Sequence, residues 1–229
     1  MKFTHSKRPK FFSYKIGNSI LQETKNHCYL GVTLTNDLSW NAHIGNISTT
    51  ANRTLAFVMR NLNQCPQNIK SNAYKSLVRP LIEYSSSVWD PHTKILTNKL
   101  ESIQRRAARF CSNDFRSRSP GAVTNMIEKL EWETLADRRL TRRLVIFHKS
   151  LHGHLSIPLD NLAQPVNRTS RHTNSKAFNI PPANKDCYKH SFVPKTIKDW
   201  NSLPEHIVTI PDSNKFKEAL QRHITAKSD

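Results

Sequence analysis

The sequence has no long hydrophobic run: no apolar stretch approaches the roughly 18 residues that a membrane-spanning helix needs. The basic start MKFTHSKRPK is not followed by the apolar segment of a secretory signal. No helix at a chain end pairs a basic face with a wide apolar one, so binding to a membrane surface is not expected either. We therefore expect a protein of the cytoplasm or nucleus.

Cysteine pairs and common catalytic motifs are also lacking. The four cysteines are widely scattered and form no CxxC pair, which argues against both a zinc site and a disulfide framework. There is no GxSxG motif and no P-loop. His148, His152 and His154 are the only closely spaced histidines, and without a nearby acidic or cysteine partner we interpret them as a surface cluster. The sequence thus predicts no catalytic residue, no metal site and no cofactor.

Acidic residues are few relative to basic ones. The chain has 35 Lys+Arg against 17 Asp+Glu, a formal net charge of +18. This excess is larger than solubility requires and indicates a polyanionic partner, with nucleic acid the first candidate. The alternative is an ordinary solvated basic surface.

The β-strand signals lie near the N-terminus. Gly17-Asn18 separates two short apolar segments, a pattern typical of a two-residue hairpin turn. The run from Cys28 to Leu34 is rich in Tyr, Val, Leu and Thr and predicts one strand. Gly31 inside it indicates a bulge or the close approach of another backbone or a ligand.

Helical periodicity dominates the middle of the chain. Apolar residues from Ile44 to Leu62 predict a helix of about five turns, capped by Ser39 or Asn41. A second helix is predicted to begin after the cap Asn68 and to be interrupted at Pro80, which lacks an amide donor. Its apolar face would consist of Ile69, Ala73, Leu77, Leu81, Tyr84 and Val88.

Two further helices carry the basic residues. One would bury Leu96, Leu100, Ile103, Ala107 and Phe110, and would expose Lys99, Arg105, Arg106 and Arg109. The other, from Thr134 to His152, would present Arg138, Arg139, Arg142 and Arg143 on its outer side. Both sets are candidates for contacting phosphates, and such contacts do not read the base sequence. The first set could instead be a solvated helix face, and the second could pair with Glu131, Glu133 and Asp137.

The remainder of the chain is rich in proline. From His154 to His190 the periodicity fails, and we expect an irregular segment with short strands near Lys176 to Ile180 and Cys187 to Val193. Short helices are expected at Pro194 and after Ser213. Trp40, Trp89, Trp132 and Trp200 adjoin apolar helical positions and are interpreted as core anchors. The predicted fold class is mainly α with a small N-terminal antiparallel β element (α+β), with small groups of packed helices.

Five segments of the chain form a familiar series: YLGVTLTNDLSWNAHI, YKSLVRPLIEYSSSVWDPHT, KLESIQRRAARF, LEWETLADRR and DWNSLPEHIV. In this order and spacing the chain resembles the distal part of the reverse transcriptases of LINE-type (non-LTR) retrotransposons, in particular the Jockey-like branch. The segments together span nearly the whole chain.

The resemblance implies a division of the chain into four parts. Residues 1–38 would be a remnant of the palm hairpins, 39–112 a thumb-like helical bundle, 113–153 a basic helical extension, and 154–229 a Pro-rich segment with short C-terminal helices. Tyr29, Leu30 and Gly31 would be primer-grip-like. For the isolated chain, the alternative for these three residues is a buried edge strand with a bulge.

The resemblance also implies what the chain would not do. The metal-binding aspartates of such polymerases would precede Met1, and the chain has no Asp-Asp pair. The leading hypothesis is a non-catalytic fragment with sequence-independent affinity for an RNA, DNA or hybrid backbone. One alternative is the C-terminal part of an active RNA-directed DNA polymerase. Another is a protein-interaction module, since exposed palm-end strands would favour self-association.

Overall fold

Two small hairpins precede a mainly helical chain, which confirms the predicted fold class. The structure is a computed structural model that describes residues 1, 3, 12–157, 159, 162–166 and 174–228. Parts of the predicted palm remnant and of the Pro-rich segment lie outside the described residues. The strands are β1 (Lys15–Ile16), β2 (Ser19–Ile20), β3 (Asn26–Tyr29) and β4 (Val32–Thr35). The helices are α1 (Asn41–Asn61), α2 (Gln67–Ala73), α3 (Ser86–Trp89), α4 (Lys94–Cys111), α5 (Ala122–Lys129), α6 (Leu135–Leu151), α7 (Asp186–Lys189), α8 (Phe192–Asn201), α9 (Glu205–Val208) and α10 (Ser213–Ser228).

The first hairpin forms as predicted, with β1 antiparallel to β2 around Gly17-Asn18. The second hairpin corrects the prediction of one strand from Cys28 to Leu34. Leu30 and Gly31 have φ angles of 47° and 79°, so the chain reverses between β3 and β4. Positive φ at both central residues gives a turn whose twist matches that of the paired strands.

The group that approaches Gly31 closely is a side chain, not the backbone or ligand that was predicted. A Cβ at Gly31 would lie 3.2 Å from Cε1 of Tyr84, whose hydroxyl donates to the Leu30 carbonyl at 3.2 Å. Tyr29 is 62% exposed and Leu30 is 74% exposed, which shows that this end of the hairpin faces solvent. The alternative of a buried edge strand is therefore wrong for these two residues.

Helix α1 follows the predicted periodicity, and it buries Ile44, Ala51, Leu55 and Val58. Its cap differs from the prediction. The N-cap residue is Trp40, which makes no capping side-chain bond. The carboxylate of Asp37 instead accepts from the Ser39 amide at 3.0 Å and fixes the preceding turn.

The second predicted helix is divided into segments. A π-helical turn (Tyr74–Val78) and a 3₁₀ turn (Arg79–Ile82) follow α2, and Pro80 lies in the 3₁₀ turn, so the predicted interruption is confirmed. The predicted cap Asn68 is wrong, since Pro66 is the N-cap of α2.

The predicted apolar face of this segment is also wrong. Ile69, Leu77, Tyr84 and Val88 are exposed, and Ala73 and Leu81 are only half-buried. The π-helical turn changes the periodicity and so rotates the following residues relative to a regular helix. The side chains that enter the core are Lys70, Tyr74, Val78, Ile82 and Trp89.

The apolar side chains form two clusters, as expected for small groups of helices. The first lies among α1, α2, α4 and α5 and includes Trp89 and Trp132. The second lies among α6, α8, α9 and α10 and includes Trp200. Helix α6 contributes to both, through Leu135 at its start and Phe147 near its end. With Trp40 packed against the first cluster, the prediction of four core tryptophans is confirmed.

The predicted strand from Cys187 to Val193 is wrong, since this segment forms α7 and the start of α8. Pro194 lies in the first turn of α8, where a missing amide donor costs no helical hydrogen bond. The strand predicted from Lys176 to Ile180 is reduced to one bridge between Pro165 and Phe178. In the part of the chain that the structure describes, no helix is long and apolar enough to cross a membrane.

Candidate nucleic-acid interface

Helix α4 exposes several basic side chains to solvent. It buries Leu100, Ile103, Ala107 and Phe110 against the first core, which turns the opposite side of the helix to solvent. We call that side the α4 basic face, defined by Lys94, Lys99, Arg105 and Arg106, all of them exposed. At 1.5 Å per residue it extends about 18 Å along the helix axis.

Helix α1 borders this face. A Cβ placed on Gly45 would lie 3.8 Å from Nζ of Lys99, and Nη1 of Arg106 donates to Oδ1 of Asn52 at 3.4 Å. Arg53, next to Asn52 in sequence, and Arg60, two turns further along α1, are both exposed. These two cations were missed from the sequence, although their spacing of seven residues places them on one side of a helix.

Acidic residues do not neutralise the α4 basic face. Within the described residues, none of its four cations makes a salt bridge. The single carboxylate of α4, Glu101, accepts from the amides of Leu135 and Ala136 at the start of α6. Burial raises the pKa of Glu101, and these amides together with nearby arginines only partly oppose that rise. Lys94, another cation of this face, was also missed from the sequence.

Arg109 has a different role from its neighbours. It is half-buried, and its guanidinium donates to the carbonyls of Asp114 and Ser117 at 3.3 and 2.9 Å. These bonds hold the loop after α4, on which Arg116 and Arg118 are exposed. Arg109 therefore positions a basic loop and is less exposed than the three other cations with which it was predicted to contact phosphates.

The four arginines of α6 do not form an outer basic surface. Arg139 and Arg143 are each 2% exposed, and Arg138 and Arg142 are half-buried. The segment from Glu83 to Trp89 and helix α8 cover this side of α6, which is why the predicted outer position is wrong. Of the two interpretations, the structure supports pairing with carboxylates, although only Glu133 belongs to the predicted partners.

Glu83 and Asp90 are the main acceptors in this network. Glu83 binds Arg138 through two guanidinium nitrogens and Arg142 through one. Asp90 binds Nε of Arg139 at 2.8 Å and also binds Arg143, which in turn binds Asp199. Burial by itself would raise the pKa of both Glu83 and Asp90, but the neighbouring cations outweigh it and hold both pKa values below their usual range.

The three histidines of the predicted surface cluster differ in exposure: His148 is buried, His152 is half-buried and His154 is exposed. His148 is fully buried, stacks on His152 and Phe216, and donates from Nε2 to the Ile210 carbonyl at 2.8 Å. Burial lowers the pKa of His148. The interpretation as a surface cluster is thus wrong for this residue. Among the residues that the structure describes, no group of three or more His, Cys, Asp or Glu side chains could hold a metal ion.

No match to a known protein was found. This holds for comparisons of the chain with protein-family models, with curated proteins and with solved structures. The geometry of the chain separates the basic residues into a paired internal set on α6 and an unpaired exposed set on α4 and α1, which can attract an extended polyanion.

Proposed function

We propose that this chain binds the sugar-phosphate backbone of RNA, DNA or an RNA–DNA hybrid through the α4 basic face, without reading base sequence. The observation that carries the proposal is the set of exposed cations on α4 that make no salt bridge in the described part of the chain. A span of about 18 Å can face several successive phosphates of one strand. Arg53 and Arg60 on α1 add charge beside it.

The resemblance to non-LTR retrotransposon reverse transcriptases supports a thumb-like role for these helices. The segments that carry the resemblance also contain the acidic and basic partners of the internal network: Glu83 and Asp90 in one, Arg138 and Arg139 in another, and Asp199 in a third. In this proposal the network sets the arrangement of the helices, and α4 contacts the backbone. In this proposal the chain binds a nucleic-acid backbone and does not itself polymerise nucleotides.

The test compares two double variants that each remove two positive charges. Lys99→Ala with Arg106→Ala removes the centre of the α4 basic face, and Lys185→Ala with Lys189→Ala removes two exposed cations near α7. Fluorescence anisotropy with two unrelated duplexes across a salt series gives the affinity and its salt dependence. Each lost phosphate contact lowers the slope of log K against log salt by about 0.9. We expect the α4 variant to lose nearly two such contacts.

Two results would contradict this proposal. One is an affinity that does not change with salt concentration. The other is an equal loss in both double variants, which would assign binding to the overall charge of the protein rather than to α4.

A second candidate function is protein interaction through the hairpins. Tyr14, Ile16 and Ile20 are 61%, 71% and 64% exposed, and the turn residues Tyr29 and Leu30 are similarly open. Apolar side chains grouped on exposed strands are typical of surfaces that pair with another chain.

Within the same proposal, these hairpins are the surface that would join a catalytic palm if one lies upstream. An in-frame Tyr/Phe-Ala-Asp-Asp motif in the genomic sequence before Met1 would support that version.

A further inference from the structure

A cavity of about 490 Å³ opens between α6 and the first turns of α10. Its volume lies in the range of sites that hold small molecules. No residue of the α4 basic face lines it, so it is separate from the proposed backbone-binding surface. Its polar lining includes Arg142, Lys149, Ser213, Asn214 and Lys217.

The lining of this cavity has a net positive charge. Four cations, Arg138, Arg142, Lys149 and Lys217, line it against the single carboxylate of Glu133, and the two arginines also bind Glu83. Both oxygens of the Glu133 carboxylate are occupied, one by Arg138 at 3.1 Å and the other by Nε2 of Gln221 at 2.8 Å. Lys149 and Lys217 make no salt bridge within the described residues. Two ammonium groups from different helices are therefore left to attract an anion.

The backbone amides at the start of α10 are already used. Oδ1 of Asp212 accepts from the amides of Asn214 and Lys215 at 3.0 and 2.8 Å. Recognition of an anion in this cavity must then come from side chains, namely the two lysines and the amide group of Asn214. Lysine is a common ligand for phosphate, which it attracts as a point charge.

Part of the cavity wall is apolar. Val145 and Ile146 are half-buried on α6, and Leu155 is 38% exposed in the segment that follows. These side chains can cover a flat or hydrophobic group next to the cations. A ligand that combines a phosphate with such a group matches both parts of the wall.

We propose that this cavity binds a small phosphate ester with an apolar or aromatic portion, of which nucleoside phosphates are the representative class. Lys149 and Lys217 hold the phosphate, and Val145, Ile146 and Leu155 contact the remainder. A free nucleotide and a nucleotide within a nucleic acid share this chemistry. The site is assigned to the free form because the cavity is bounded by two helices and is of small-molecule size.

The test uses the full chain and a fluorescent nucleoside triphosphate as probe, followed by anisotropy at low salt. Lys149→Ala with Lys217→Ala should weaken binding by about a hundredfold, since each of the two lost charge-assisted contacts contributes roughly a factor of ten. Lys215→Ala is the matched control, because it removes an exposed cation from the same helix outside the cavity. Thermal unfolding followed by circular dichroism verifies that the variants remain folded.

Competition identifies the ligand. Unlabelled nucleoside triphosphate should displace the probe, and inorganic pyrophosphate should do so more weakly because it lacks the apolar portion. Displacement by a short oligonucleotide but not by free nucleotide would overturn the assignment, as would equal weakening by Lys215→Ala or no binding of the probe. Lys185→Ala with Lys189→Ala, which removes two exposed cations outside both the cavity and the α4 basic face, should leave probe binding unchanged.

Discussion

At the scale of single residues, Asp90 has the largest structural role. Its carboxylate accepts from Arg139 and Arg143 of α6 and, at 2.6 Å, from Nζ of Lys195 of α8. The partners of Asp90 lie about 50 and 105 residues away along the chain, so no local sequence pattern indicates them. One carboxylate thus joins the first group of helices to the second.

Replacing Asp90 by Asn should strongly destabilise the protein. Three cations, two of them nearly inaccessible to water, would lose a charged partner, and breaking a buried pair in this way costs about 3–5 kcal/mol. Urea denaturation at neutral pH measures the free energy of unfolding. Glu218→Gln is the control, because its salt bridge with Arg222 is exposed and contributes at most about 1 kcal/mol. Similar losses in the two variants would contradict the role given to Asp90.

At the scale of elements, the β3–β4 hairpin and the segment after α2 have backbone conformations that the periodicity of apolar residues does not predict. The sequence pattern gives the apolar character of both, but it predicts neither the reversal at Leu30-Gly31 nor the π-helical turn at Tyr74–Val78. One contact joins the two elements, the hydrogen bond from Tyr84 to the Leu30 carbonyl. It holds the turn of the hairpin against the helical part of the chain.

Gly31→Ala tests that contact. A side chain at a φ of 79° costs about 1–2 kcal/mol, and its Cβ would also crowd the ring of Tyr84 at 3.2 Å. Gly17→Ala is the matched control, since Gly17 also has a positive φ of 58° but has no atom within 4 Å of the added Cβ. We expect a larger fall in the melting temperature for Gly31→Ala. In the Tyr84→Ala background the difference between the two variants should shrink, and an unchanged difference would argue against crowding.

At the scale of the whole molecule, apolar surface and charge are distributed unevenly. The helices enclose two apolar cores, while the first hairpin and the residues beside it carry Phe12, Tyr14, Ile16, Ile20 and Leu21 in exposed positions. Exposed apolar strands with free edges are templates for pairing with another chain. We therefore predict self-association through this hairpin.

Ile16→Thr with Ile20→Thr should shift the protein toward the monomer in sedimentation velocity experiments. Threonine retains the preference for extended structure and removes apolar surface, and two such changes should weaken association by about tenfold. Val88→Thr with Ile95→Thr removes two apolar residues elsewhere, which are 53% and 81% exposed, and serves as control. A wild-type chain that is monomeric at high concentration, or an equal effect of both double variants, would contradict the prediction.

The sequence by itself determined the fold class, the long helices α1, α4 and α6, and the excess of positive charge, because these follow from local periodicity and composition. It could not determine which cations remain free. On α4, core packing turns Lys99, Arg105 and Arg106 outward. The arginines of α6 instead form ion pairs with carboxylates from distant positions in the chain, namely Glu83, Asp90 and Asp199. Only the tertiary structure decided that division, because ion pairing depends on proximity in space and the sequence pattern reports proximity along the chain.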